Sequence, residues 1–172
     1  MPHNDAMDES RHLLRHYLAV LAYRTQKAVR DAPTSFGSFE AGAQVRTPAA
    51  LVRHMAVVLD FARSCYAGGR ETMEPLADLA AELTRFHRVL EDLSAHLATD
   101  AQPSRLTEAQ LLQGPFADAM THAGQLALLR RLAGAPVRPE SFVEAAIDVT
   151  NVSETQPLPV RPAANWPEAP SA

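Results

Sequence analysis

Phe116-Ala-Asp-Ala-Met-Thr-His-Ala-Gly-Gln-Leu-Ala-Leu-Leu-Arg-Arg131 sets an acid and an imidazole among the leucines of a helix. At about 100° per residue, Asp118, His122, Gln125, Leu129 and Leu132 share one face, and Arg130 and Arg131 fall on the other. Charged groups on a stripe that faces a core are costly unless they are paired or coordinate a metal. The segment therefore predicts a helix packed against other helices, with a polar site in the packing face. Gly114-Pro115 marks its start and Gly134 its end. Arg130 and Arg131 fall in its last turns, where cations suit the helix dipole.

Three more helices are legible on either side. Thr47-Pro48 is a strong start, with Thr as N-cap and Pro at the first helical position. The helix that follows turns Leu51, Met55, Val58, Phe61, Ala62 and Cys65 inward and stops at Gly68-Gly69. Helix one runs from about Asp8 to Val29 on Leu13, Leu14, Tyr17, Leu18 and Leu21. Helix three runs from about Thr72 to Ala98 on Leu76, Leu79, Leu83, Phe86, Leu90 and Leu93. Phe36 and Phe39, in the loop from Pro33 to Arg46, are expected to cover one end. Asp100 to Pro115 reads as a connection with one helical turn at Thr107 to Leu112. Pro139 to Ile147 has the makings of a short fifth helix.

Four long amphipathic helices, with no strand-like alternation, predict an all-α four-helix bundle. The bundle is assigned to residues 1–150. Residues 151–172 form a proline-rich tail, with Pro157, Pro159, Pro162, Pro167 and Pro170, expected to be extended. Trp166 in that tail could dock on the body or on a partner subunit.

A chain of 172 residues, 47% hydrophobic, can bury a sizeable core in one domain. A net charge of −4 without a basic cluster argues against a nucleic-acid binder. One cysteine, Cys65, excludes an intramolecular disulfide framework and suits a reducing compartment. The acidic, polar first ten residues do not read as a signal peptide, and no apolar run reaches the roughly 20 residues that span a bilayer. The expected location is the cytoplasm, away from membranes.

Asp118 and His122 have the i, i+4 spacing with which one helix face can bite a single ion. A third ligand should come from a facing helix, and His54 is the leading candidate. It lies two turns beyond the Thr47-Pro48 cap, on the side of Val58, Phe61 and Cys65. Read without metal, Asp118 and His122 would form a buried hydrogen-bonded pair. Gln125, one turn beyond His122, could orient a ligand or a water. His12 and His16 form a rival i, i+4 pair on the solvated side of helix one with Arg15. His87 has no carboxylate or histidine at i±4 and is placed at the surface or boundary. Cys65 lies about 16 Å along the axis from His54, too far to share an ion. Tyr17 and Tyr66 are expected in core or boundary packing.

Thr-Pro-Ala-Ala-Leu-Val-Arg-His54 and Asp118-Ala-Met-Thr-His122-Ala-Gly-Gln125 resemble the two metal-ligand segments of the DinB-like putative metalloenzymes. The resemblance covers roughly residues 8 to 135. It implies an up-down-down-up bundle, often a homodimer, that brings helices two and four together at the site. The family's usual triad is one His on helix two and a His-x-x-x-His pair on helix four, followed by Arg-Gly-Gln. His54 and His122 match two ligands. Asp118 stands where the first His of the pair would be, Ala123 replaces the Arg, and Gly124 and Gln125 are kept.

Two histidines and a carboxylate make a competent triad with open positions for water or substrate. The carboxylate hardens the site, so one divalent ion, Fe, Zn, Ni or Mn, is the expected cofactor. No nucleophile or general base stands out beyond it, and metal-bound water would have to supply the reactive group. The resemblance adds thiol chemistry, because relatives include thiol-dependent transferases and a mycothiol-dependent isomerase. The expected function is a metal-dependent hydrolase or thiol transferase acting on a small molecule. The alternative is a non-catalytic dimeric stress or binding bundle with a buried polar network and no metal.

Overall fold

Thr47 and Pro48 start a helix in the way their chemistry dictates. The Thr47 hydroxyl accepts from the Ala50 amide at 3.3 Å, and Pro48 occupies a position whose N–H would have had no partner. In the computed structural model, which describes residues 2–167 and side chains from residue 9, this helix, α2, spans Pro48–Ala67. It ends where Gly68 adopts φ 69°, a left-handed conformation that a side chain would strain, and returns its N–H to Ser64 O.

The other helices are α1 (Pro2–Val29), α3 (Leu79–Leu97), α4 (Glu108–Leu111) and α5 (Ala117–Leu132). The described residues form a helical bundle with no strand, apart from a single bridge between Glu140 and Pro162. Among them, no helix is long and apolar enough to cross a membrane. α2 packs against α3 and α5, and α1 packs against the same two, so α1 and α2 stand diagonally across the bundle. The core between them holds Leu18, Leu21, Met55, Leu59, Phe86, Leu90, Phe116 and Leu126, all fully buried. Each such side chain contributes about 1.5–3 kcal/mol by leaving water. Phe36 is buried in a 3₁₀ turn, Thr34–Ser38, that packs on α2. Gly37 beside it lies so close to the start of α3 that an added Cβ would stand 2.9 Å from Leu79 Cβ.

Several boundaries differ from those expected. Helix three begins at Leu79 rather than near Thr72. Pro75 disfavours helix in the residue before it, and Asp78 caps the later start by accepting from Ala81 N at 2.9 Å. Leu76 is consequently on an exposed stretch, not on the helix face. The last helix begins earlier than Gly114-Pro115. Thr107 and Gln110 form a capping box that opens α4, and a π turn over Leu112–Phe116 carries the chain directly into α5. Pro115 has no N–H for Leu111 O and would crowd it, and the wider turn relieves both problems. The short fifth helix contracts to a 3₁₀ turn at Phe142–Glu144.

The faces also differ in part. Leu13 and Leu132 are exposed, whereas Arg130, expected on the solvated side, is buried. Its Nε donates to Ala135 O at 2.8 Å and its Nη1 to Arg30 O at 3.2 Å, with the guanidinium over the Phe36 ring. α5 packs on both α1 and α2, so its buried face is wider than a single stripe, and Arg130 closes its C-terminal end.

The described part of the tail lies on the bundle. Arg30 Nη2 donates to Gln156 O and Pro157 O at 2.9 and 3.0 Å, and Ala163 N donates to Pro139 O. Val152 is buried in the core and Trp166 is half-buried. Pro170 lies outside the described residues.

His87 anchors this arrangement, contrary to its expected place at the surface. It is buried, with Nδ1 donating to Val152 O at 2.7 Å and Nε2 2.8 Å from the Gln26 amide nitrogen. Burial pushes its imidazole below the usual range, more than the Val152 carbonyl and Glu154 raise it. The unfolded chain therefore binds the proton first, and stability falls as pH drops through the ordinary imidazole range near 6.5. Acid titration should lower the urea midpoint of the wild type in that window and expose the amides near Val152 to exchange. His87→Leu should flatten that part of the profile, and an unchanged acid limb in the variant would remove His87 as its cause.

Candidate metal centre

His54 lies two turns into α2, at the edge of the stripe made by Leu51, Met55 and Leu59. The π turn sets the angle at which α5 leaves Pro115, and its first turns carry Asp118 and His122 toward α2. There the three side chains meet. His54 Nε2 is 3.4 Å from Asp118 Oδ2, and His122 Nε2 is 3.4 Å from Asp118 Oδ1. The two imidazoles sit edge to face, centroids 4.8 Å apart. One ligand atom from each residue lies within 4.8 Å of the others, so this group could hold a metal ion.

The donor set fits a divalent ion. With metal–nitrogen and metal–oxygen bonds of about 2.0–2.2 Å, neighbouring ligands stand about 3.0–3.5 Å apart; each imidazole is 3.4 Å from one Asp118 oxygen, and the widest ligand spacing, within 4.8 Å, would have to close around an ion. The two 3.4 Å separations are longer than ordinary N–H···O hydrogen bonds of about 2.7–3.2 Å. The polarity of the contacts points the same way. Gln125 Oε1 is 2.8 Å from His122 Nδ1 and can only accept, so Nδ1 carries the hydrogen. The free lone pair of His122 Nε2 then faces a carboxylate oxygen. Two electron-pair donors tolerate each other there only with a proton or a cation between them. His54 is also suited to ligation. Burial lowers its imidazole below the usual range, Arg46 and His122 push the same way, and Asp118 opposes them. A neutral imidazole is the form that binds metal.

Burial modifies the expected picture of a core-facing site. The His122 side chain is 10% exposed and the Asp118 side chain 45%. Asp118 is at the rim, not on the core stripe, because the π turn changes the facing of α5 relative to α4. Its carboxylate opens into a groove of about 610 Å³ walled by Val57, Val58, Phe61, Pro115 and Arg70. Gln125 is itself exposed yet holds the His122 ring by the Nδ1 bond. Gln125→Leu should therefore weaken metal affinity about 10–100-fold while leaving the fold intact, as read by chelator competition. Unchanged affinity would mean that Gln125 does not set the ring.

The other expected positions stay apart from this centre. Cys65 is buried and leans on Phe61 O. His12 and His16 are exposed. Tyr17 stacks on Phe116, and Tyr66 stacks on His96, with burial pushing the Tyr66 phenol up to about 12. Two residues escaped the sequence reading. Arg70 stands at the groove directly after Gly68-Gly69, and Arg46 acts on His54 from the residue before Thr47. Arg46 precedes one helix-boundary signal and Arg70 follows another, and only the path of the loops shows that they come back to the site. No family model, no curated protein and no solved structure matches this chain.

Proposed function

We propose that the protein is a DinB-like metal-dependent enzyme that binds one divalent ion through His54, Asp118 and His122 and acts on a small molecule. The observation that carries this reading is the convergence of three ligand atoms from two helices, with the His122 lone pair turned toward Asp118 by Gln125. When bound, the metal would supply Lewis acidity toward water, a carbonyl or a thiolate, which makes hydrolysis or thiol transfer the first reactions to test. The residues of the chain do the rest. His122, fixed by Gln125, and His54, kept neutral by burial, present nitrogen ligands, and Asp118 contributes charge at the rim. The groove beside Asp118 would hold the substrate, its apolar part on Val57, Val58 and Phe61.

A homodimer is part of the proposal. Exposed Leu128, Leu132 and Val45 share one shallow surface that a second copy could cover.

The test uses protein without a histidine tag. Its metal content is measured by mass spectrometry as purified, and again after incubation with Fe, Zn, Mn or Ni and desalting. About one equivalent of metal per chain supports the centre and justifies screening thiol and hydrolytic substrates. No retained metal under any of these conditions overturns the proposal in favour of a metal-free polar network.

A further inference from the structure

A second cavity lies on the far side of α5. Met120, Gly124 and Ala127 fall roughly 160–220° around the helix from the mean direction of Asp118 and His122, and they face α1 instead of α2. Together with Arg24, Lys27 and Ala28 of α1 and the segment Val137–Phe142 they enclose about 330 Å³, enough for a small molecule.

Its floor is made of small residues. A Cβ added at Gly124 would meet no atom within 4 Å. Its charge is unbalanced. Among the described lining residues Glu140 is the one carboxylate, and it is already used. The Tyr23 hydroxyl donates to it at 2.9 Å, Lys27 Nζ lies 3.4 Å away, and the Glu140 side chain is 1% exposed. Lys27 also donates to Arg138 O at 2.6 Å. Arg24 and Arg138 then remain as cations of the same wall.

Arg24 is held in a way that leaves its donors free to act. Its guanidinium carbon lies over the Phe142 ring, 3.9 Å from the centroid, and Nη1 meets Met120 Sδ only at 4.0 Å. Stacking uses the face of a guanidinium and leaves its N–H edge available, the edge that matches a carboxylate or phosphate in two-point contact. Phe142 is itself fixed edge-on against Tyr23, 6.3 Å between centroids. A pre-positioned guanidinium, a second arginine and a small-residue floor make a pocket complementary to an anion.

We propose that this cavity binds a small organic oxyanion, a carboxylate or a phosphate, through Arg24 and Arg138. The site is separate from the metal centre and does not depend on it.

The experiment is an amide chemical-shift titration of the full ¹⁵N-labelled chain at low ionic strength, with inorganic phosphate and with succinate as probes. The expected result is saturable shifts at Gly124, Ala127 and Phe142 with at least one probe. Response to phosphate alone identifies a phosphoryl ligand, and response to succinate alone a carboxylate. Arg24→Gln and Arg138→Gln should each weaken binding about tenfold. Gly124→Leu should block it while favouring the helix. Arg138 is exposed and Gly124 faces open space, so those two variants decide the matter even if Arg24→Gln disturbs the fold. Absence of saturable shifts with both probes overturns the proposal, as does equal binding by wild type, Arg138→Gln and Gly124→Leu.

Discussion

His122→Ala is expected to lower affinity for a divalent metal at least about a hundredfold, some 2.7 kcal/mol, the largest functional effect of any single change in this chain. The reasoning is geometric. Removing His122 leaves His54 and Asp118 as a two-point site, and it also strands Gln125, whose carbonyl fixes the ring. The cost to folding should be smaller, about 1–2 kcal/mol, because the residue sits at the border of the core rather than within it. Competition against a chelator of known affinity reads the first quantity and urea unfolding of metal-free protein the second. Wild-type affinity in the variant would show that the bound ion sits elsewhere. His54→Ala should behave alike, since each imidazole lies 3.4 Å from one oxygen of the same carboxylate.

The largest stability effect is expected at Arg11. Its guanidinium is buried near the N-terminal half of α1 and joins three segments. Nη1 donates to Thr99 O, Nη2 to Ala101 O at 2.9 Å, and Nε to Glu108 Oε1 at 3.0 Å. Arg11 thereby ties α1 to the end of α3 and the start of α4. Arg11→Ala would leave the Thr99 and Ala101 carbonyls without this donor and the Glu108 carboxylate with only the Ser10 hydroxyl, at a cost of about 3–5 kcal/mol. Arg11→Lys should recover little of it, because an ammonium cannot serve a three-point fork. Urea midpoints of both variants check this, and a loss within about 0.5 kcal/mol would mean that the fork contributes almost nothing net.

Much of this molecule is legible in its residues, for identifiable reasons. Thr47-Pro48 and Gly68-Gly69 bracket α2 because capping is local chemistry, which needs no knowledge of the rest of the chain. His54, Asp118 and His122 could be grouped because helical spacing and one facing helix suffice to bring them together. The buried places of Arg11, His87 and Arg130 could not be foreseen. Each owes its burial to backbone carbonyls far away in sequence, at Thr99 and Ala101, at Val152, and at Arg30, and a carbonyl leaves no mark in the sequence pattern. The late start of α3 is written in Pro75 and Asp78, against a leucine periodicity that continues back through Leu76.

The wide turn at Leu112–Phe116 works as a phase shifter. In an unbroken α-helix, residues seven apart stack on one face, so Asp118 would stand above Leu111 and point into the fully buried core. A π turn takes up one residue more than an α turn, which rotates everything after it by about 100° relative to Leu111. The facing of Asp118 and His122 therefore depends on how one turn is wound. Shortening the chain by Gln113 would let that turn close to an ordinary α turn and leave both residues in their present facing, whereas tightening it at unchanged length would swing them away from His54. In this architecture the winding of a single turn, with no change of any ligand, decides whether the three side chains can meet.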